Sequence, residues 1–134
     1  MTKEEMIEAL KMAAKPYESY YIADNIRQAM MQLTNPGELV ESILDIIGSN
    51  PTVDFGTSGD LVHYVECFYK KGYEELLIAS VRKNPTSHNI WMVHRCYSDF
   101  NNPLHDRFAD LIRELRENAN ISDEIKNAID EFTW

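Results

Sequence analysis

Cysteine is scarce in this chain. Two residues in 134, Cys67 and Cys96, are too few for a disulfide framework. Both fall in helix-like, largely apolar segments, where buried, unreactive thiols are expected. Long hydrophobic runs are missing as well, and none approaches the roughly 20 apolar residues that a membrane span needs. The opening MTKEEMIEALKM carries glutamates where a secretory signal has a basic start and an unbroken apolar core, so the protein is expected to remain in the cytoplasm. Basic residues are few: 13 against 22 acids, for a net charge of −9. That balance is the opposite of what displaces counterions from phosphates, and no nucleic-acid partner is expected.

The excess of acid is uneven. Residues 1–50 and 100–134 each hold eight acids against four bases, while the middle is nearly neutral. Such ends are either solvated for solubility or shaped to steer toward a basic partner.

No segment sustains the apolar–polar alternation of a strand, and the recurrent spacing is helical. Thr2 with Glu5 forms a capping box ahead of Met6, Ile7, Leu10 and Ala14, and Pro16 closes that helix. A second helix is predicted over 18–33 from Ile22, Ile26, Met30 and Leu33. In TNPGE, Asn35 caps, Pro36 takes the first helical position and Glu38 completes the box; Gly48 suits the left-handed end of this third helix. The stretch SNPTVDFGTSG reads as a loop. A fourth helix turns Leu61, Tyr64, Val65 and Phe68 inward and ends near Gly72. YEELLIASVRKN, HNIWMVHRCYSDF, NNPLHDRFADLIRELREN and SDEIKNAIDEF supply four more. The expected architecture is one all-α domain over residues 1–134. Its roughly eight helices are arranged as stacked antiparallel pairs, HEAT-like, or as a compact bundle.

Chemistry is thinly signalled. His63 and Cys67 share a helical face beside Glu66, but His88, His94, Cys96 and His105 add no spacing that closes a zinc site. A catalytic cysteine needs an electropositive setting, and Cys67 sits mid-helix beside an acid. GTSG lacks the lysine and spacing of a P-loop, and its plain role is to turn the chain so that Asp60, Ser58 or Thr57 caps the fourth helix. No metal, no cofactor and no enzyme activity are expected. His63 reads as a partly buried histidine bonded to a polar neighbour, and Trp91 as core. Arg95 can pair with Asp99 along its own helix, or inward with Glu66 as a buried tie between two helices. Two acid stripes remain as candidate partner-binding surfaces: Asp110, Glu114 and Glu117 on the seventh helix, and Glu38, Glu41 and Asp45 on the third.

The stretch GTSGDLVHYVECFYKKGYEELLIASVRKNPTSHNIWMVHR carries a further signal. Its Gly-x-Leu-Val-His-x-x-Glu opening, GYEE turn and Pro-Thr…Trp-Met…Arg closing helix resemble a family of small bacterial immunity proteins. These are encoded beside polymorphic toxins, including those of contact-dependent growth inhibition. The likeness spans residues 56–96. It rests on Gly59, Leu61, His63 and Glu66, then Tyr73 and Leu77, then Pro85, Thr86, Trp91, Met92 and Arg95. The chain departs at His94, where the pattern carries a small amide. The resemblance implies an all-α fold, a cytoplasmic protein without catalysis, and a cognate toxin domain as partner. The pattern residues Gly59, Asp60, His63, Glu66, Trp91 and Arg95 are then expected to build the scaffold rather than touch the toxin. An unrelated protein partner for a HEAT-like adaptor, or a small enzyme using His63, Glu66, Cys67 and His94, are the competing expectations.

Overall fold

The structure, a computed structural model, describes residues 1–57 and 59–134. Among these residues the chain forms eight α-helices and one 3-10 turn: α1 Lys3–Met12, α2 Asp24–Met31, the 3-10 turn Pro36–Leu39, α3 Val40–Ser49, α4 Asp60–Glu66, α5 Tyr73–Lys83, α6 Ser87–Tyr97, α7 His105–Glu117 and α8 Asp123–Asp130. Extended pairing among them is limited to one isolated parallel bridge, Ser19 with Asp54.

The helices stack as hairpins. α3 packs on both α1 and α5, and α5 on α7, so the odd-numbered helices form one row; α6 packs on α8 in the other. Direction within the first row is parallel. Early in both helices Arg107 pairs with Glu75 at 3.2 Å, and late in both Arg82 pairs with Glu114 at 3.0 Å. The same sense holds between α3 and α5. There the Ser80 hydroxyl donates to the Leu44 carbonyl, and buried Gly48 lets Asn84 and Ser80 close on the backbone. These contacts recur at separations of 36 and then 32 residues, which is one helical hairpin per step. The seam between the rows is filled by Ile43, Ile47, Leu61, Val65, Leu77, Val81, Ile90, Val93, Phe108 and Leu111, all buried.

Local signals set several boundaries, the first of them as the spacing predicts. Thr2 and Glu5 form the reciprocal capping box of α1. Thr86 and Asn89 do the same for α6, with both residues buried, and Ser122 caps α8.

Other boundaries differ from expectation. The second helix starts at Asp24 rather than 18, because residues 17–20 instead bond backbone to backbone with residues 52–54. Asn35 makes no side-chain cap; Pro36 opens a 3-10 turn, and Glu38 pairs with Lys3 at 3.7 Å. Gly48 lies inside α3, where its missing side chain admits α5 rather than ending the helix. α4 ends at Glu66, and Gly72, at φ 103°, supplies the left-handed turn into α5. The cap of α4 is Gly59, whose backbone lies so close to the Phe55 carbonyl that any Cβ would overlap it. Asp60 is therefore the first helical residue and not the cap; Ser58 lies outside the described residues.

Candidate functional site

The two acid stripes lie in one row of helices, on either side of α5. Glu38, Glu41, Asp45, Asp110, Glu114 and Glu117 are all exposed. Their freedom differs. Glu114 holds Arg82 through two hydrogen bonds of 3.0 Å, which keeps its carboxyl below the usual range. Asp110 pairs with Arg113 one turn on, at 2.9 Å. Glu41, Asp45 and Glu117 make no ion pair among the described residues. Glu41 and Asp45 share a shallow hollow with Lys83, Ala79 and Leu76, so this face is a lattice of both signs with the acids in excess.

The expected tie between Glu66 and Arg95 is present. The guanidinium donates from Nε at 2.7 Å and from Nη2 at 3.0 Å to the two carboxylate oxygens, and it lies 5.0 Å over the Trp91 ring. It is not buried: the Arg95 side chain is 47% exposed and Glu66 23%, so solvent screens the pair. Trp91 is half-buried against the core edge. The alternative partner, Asp99, is occupied elsewhere. It accepts from the Tyr69 hydroxyl at 2.7 Å and from the Asn101 amide, which together with Lys70 hold its carboxyl below the ordinary range.

Behind Asp99 runs a polar network that spacing alone did not single out. Asn102 donates to the Tyr69 oxygen at 2.8 Å and to Glu74 at 3.2 Å, while Glu74 also accepts from the Lys70 amide at 2.8 Å. Glu74 and Asn102 are buried, and burial pushes the Tyr69 hydroxyl up to about 12. A signal did exist: Glu74 shares a helical face with Leu77, Ile78 and Val81, and a carboxylate on an apolar face demands partners. The network borders a hollow of about 580 Å³ lined by Glu66, Tyr69, His94, Arg95, Cys96, Ser98 and Asp99. Beside it His94 stacks on Phe132 at 4.4 Å, and Trp134 folds back to donate its indole N–H to the Ile129 carbonyl at 2.8 Å.

His63 and Cys67 are both exposed, contrary to expectation, because their i, i+4 positions lie on the side of α4 opposite its buried Leu61, Val62 and Val65. Cys96 is buried, and burial with the nearby Glu74 and Glu66 carboxylates pushes its thiol up to about 12. No group of three or more His, Cys, Asp or Glu comes together in metal-holding geometry among the described residues. No helix there is long and apolar enough to cross a membrane. Compared with models of known families, with curated proteins and with solved structures, the chain matches none of them.

Proposed function

We propose that the protein is an immunity protein that binds a cognate bacterial toxin domain, such as a basic nuclease, in the cytoplasm. It would neutralise that domain by covering its active site or its access to substrate. The observation that carries this reading is the pair of carboxylate stripes on one row of helices, exposed on either side of α5 in a chain of net charge −9. Such a face attracts a cationic cleft at long range and raises the association rate, while a few anchors set the lifetime of the complex. The resemblance over residues 56–96 agrees with it in most of its residues: Gly59 and Thr86 cap helices, Leu61, Tyr73, Leu77 and Met92 are core, and Glu66 ties Arg95, while His63 is exposed.

The test is affinity capture from the native lysate with identification by mass spectrometry, followed by co-expression. Recovery of the C-terminal domain of a large toxin, whose growth inhibition this protein relieves, supports the reading. Stable capture of a partner without toxicity favours a HEAT-like adaptor and overturns it. Reversing Asp110, Glu114 and Glu117 together should slow association and flatten its dependence on salt.

A further inference from the structure

Six large apolar side chains stand exposed among the described residues, and five of them, Met1, Met12, Tyr17, Tyr21 and Met31, fall within the first 31. Tyr17 is 87% exposed and Tyr21 72%. Both sit on a non-helical strap, residues 15–22, that crosses the end of the stack where α1 and α3 finish. The strap is fixed in place. Tyr17 N–H donates to the Thr52 carbonyl at 3.1 Å, Asp54 N–H to Glu18 at 3.0 Å, and Tyr20 N–H to Asp54 at 2.7 Å. Tyr20 is half-buried, its hydroxyl donating to the Leu10 carbonyl at 2.7 Å and its ring 5.1 Å from Phe55, and Ile22 is buried. The alternation therefore turns Tyr20 and Ile22 inward and Ser19 and Tyr21 outward. Tyr17 is held at φ 63°, a conformation that favours glycine, although its side chain gains no cover in return.

The surroundings are acidic. Glu18, Asp24, Asp54 and Asp60 are exposed; against them stand Lys15, exposed at the strap's start, and Arg27, which is already bound by Asp24 at 2.6 Å and Asp60 at 2.7 Å. Between the strap and the start of α4 lies a hollow of about 270 Å³ walled by Tyr20 and Phe55 and bordered by Asp54 and Asp60. Aromatic walls with carboxylates at the rim match a lysine or arginine side chain.

We infer that this strap is the docking surface for a cationic protein surface. Tyr17 and Tyr21 are the anchors buried on contact, and a partner lysine or arginine enters the hollow against Asp54, with Asp60 sharing its charge between that cation and Arg27. The inference rests on the immunity reading for the partner's identity, the toxin domain. It divides the labour between surfaces: the stripes on α3 and α7 steer, and the strap holds. A tyrosine, with only two side-chain torsions to fix, loses little freedom on binding, which is why such residues dominate interface energies.

Two experiments test it. In the first, the isotope-labelled protein is titrated with an octa-arginine peptide and followed by amide NMR shifts. Perturbation centred on residues 17–22 and 54–56 is expected; shifts confined to α3 and α7 would overturn the assignment. In the second, wild-type, Tyr17→Gly and Tyr21→Ala proteins are used as bait in the native lysate. Each substitution should weaken retention of the captured partner by about tenfold or more. Tyr17→Gly should meanwhile leave the unfolding midpoint unchanged or raised, since glycine accepts the left-handed backbone. Equal capture of a toxin domain by all three baits overturns the docking surface and leaves the immunity reading standing. Loss of a non-toxic partner from the two variants does the reverse.

Discussion

Replacing Tyr73 by phenylalanine should stabilise this protein. Tyr73 is 1% exposed at the start of α5, and its hydroxyl has no hydrogen-bonding partner that satisfies normal geometry. Its neighbour is the thiol of Cys96, a weak acceptor, with the Glu66–Arg95 pair close by. A buried hydroxyl left without a proper partner costs about 1–3 kcal/mol. Removing one oxygen from a close-packed site forfeits only a few contacts, each worth about 0.1–0.2 kcal/mol. The balance favours Tyr73→Phe by about 1 kcal/mol, which for a domain of this size raises the melting temperature by about 4 °C. Urea unfolding followed by circular dichroism measures it directly: the midpoint should rise with the slope unchanged. A loss of 1 kcal/mol or more would refute the reasoning, because it would mean that the hydroxyl is well bonded after all, through the thiol or an internal water.

Three further outcomes are expected. Under native conditions at neutral pH a thiol reagent should modify Cys67 alone; Cys96, whose buried thiol is pushed up to about 12, should react only on unfolding, as peptide mapping will show. His88 lies between Phe55 and Trp91, and burial lowers its pKa against the opposing pull of Asp54. Because the unfolded chain takes up that proton more readily, stability should fall as pH drops below about 6.5 and through the lowered folded value. His88→Phe should flatten this limb in unfolding measured across pH. A double-mutant cycle on Glu66 and Arg95 should return about 1 kcal/mol or less, because the pair is bidentate but largely open to solvent; a coupling above about 3 kcal/mol would show that solvent does not screen it.

Helical spacing made the fold legible because each helix buries one stripe: Leu61 and Val65, Leu77 and Val81, and Ile90 and Val93 all lie where periodicity puts them. Thr2, Thr86 and Ser122 cap their helices because a hydroxyl satisfies amides wherever the chain enters a helix. Residues 18–23 misled, since Ile22 and Ile26 fit a helix as well as a strap, and what decided between them was a backbone partner more than 30 residues away. The Glu66–Arg95 tie was readable because an arginine beside Trp91 and Met92 needs an acid. Its degree of burial was not, since that depends on how α4 is cut short. The exposed tyrosines escaped notice because an aromatic residue reads as core until its surroundings are known.

The hairpin-by-hairpin register has a consequence for how the chain acquires its shape. Each helix packs chiefly on the next one or two along the sequence, and the longest of these main contacts joins α3 to α6. The early strap at residues 17–20 waits only for residues 52–54, which follow α3 directly. During synthesis α1 can close on α3 as soon as the latter clears the ribosome, and every later hairpin then docks on a surface already in place. On the proposed immunity reading, such an order of assembly would make the protein competent to bind its toxin soon after synthesis.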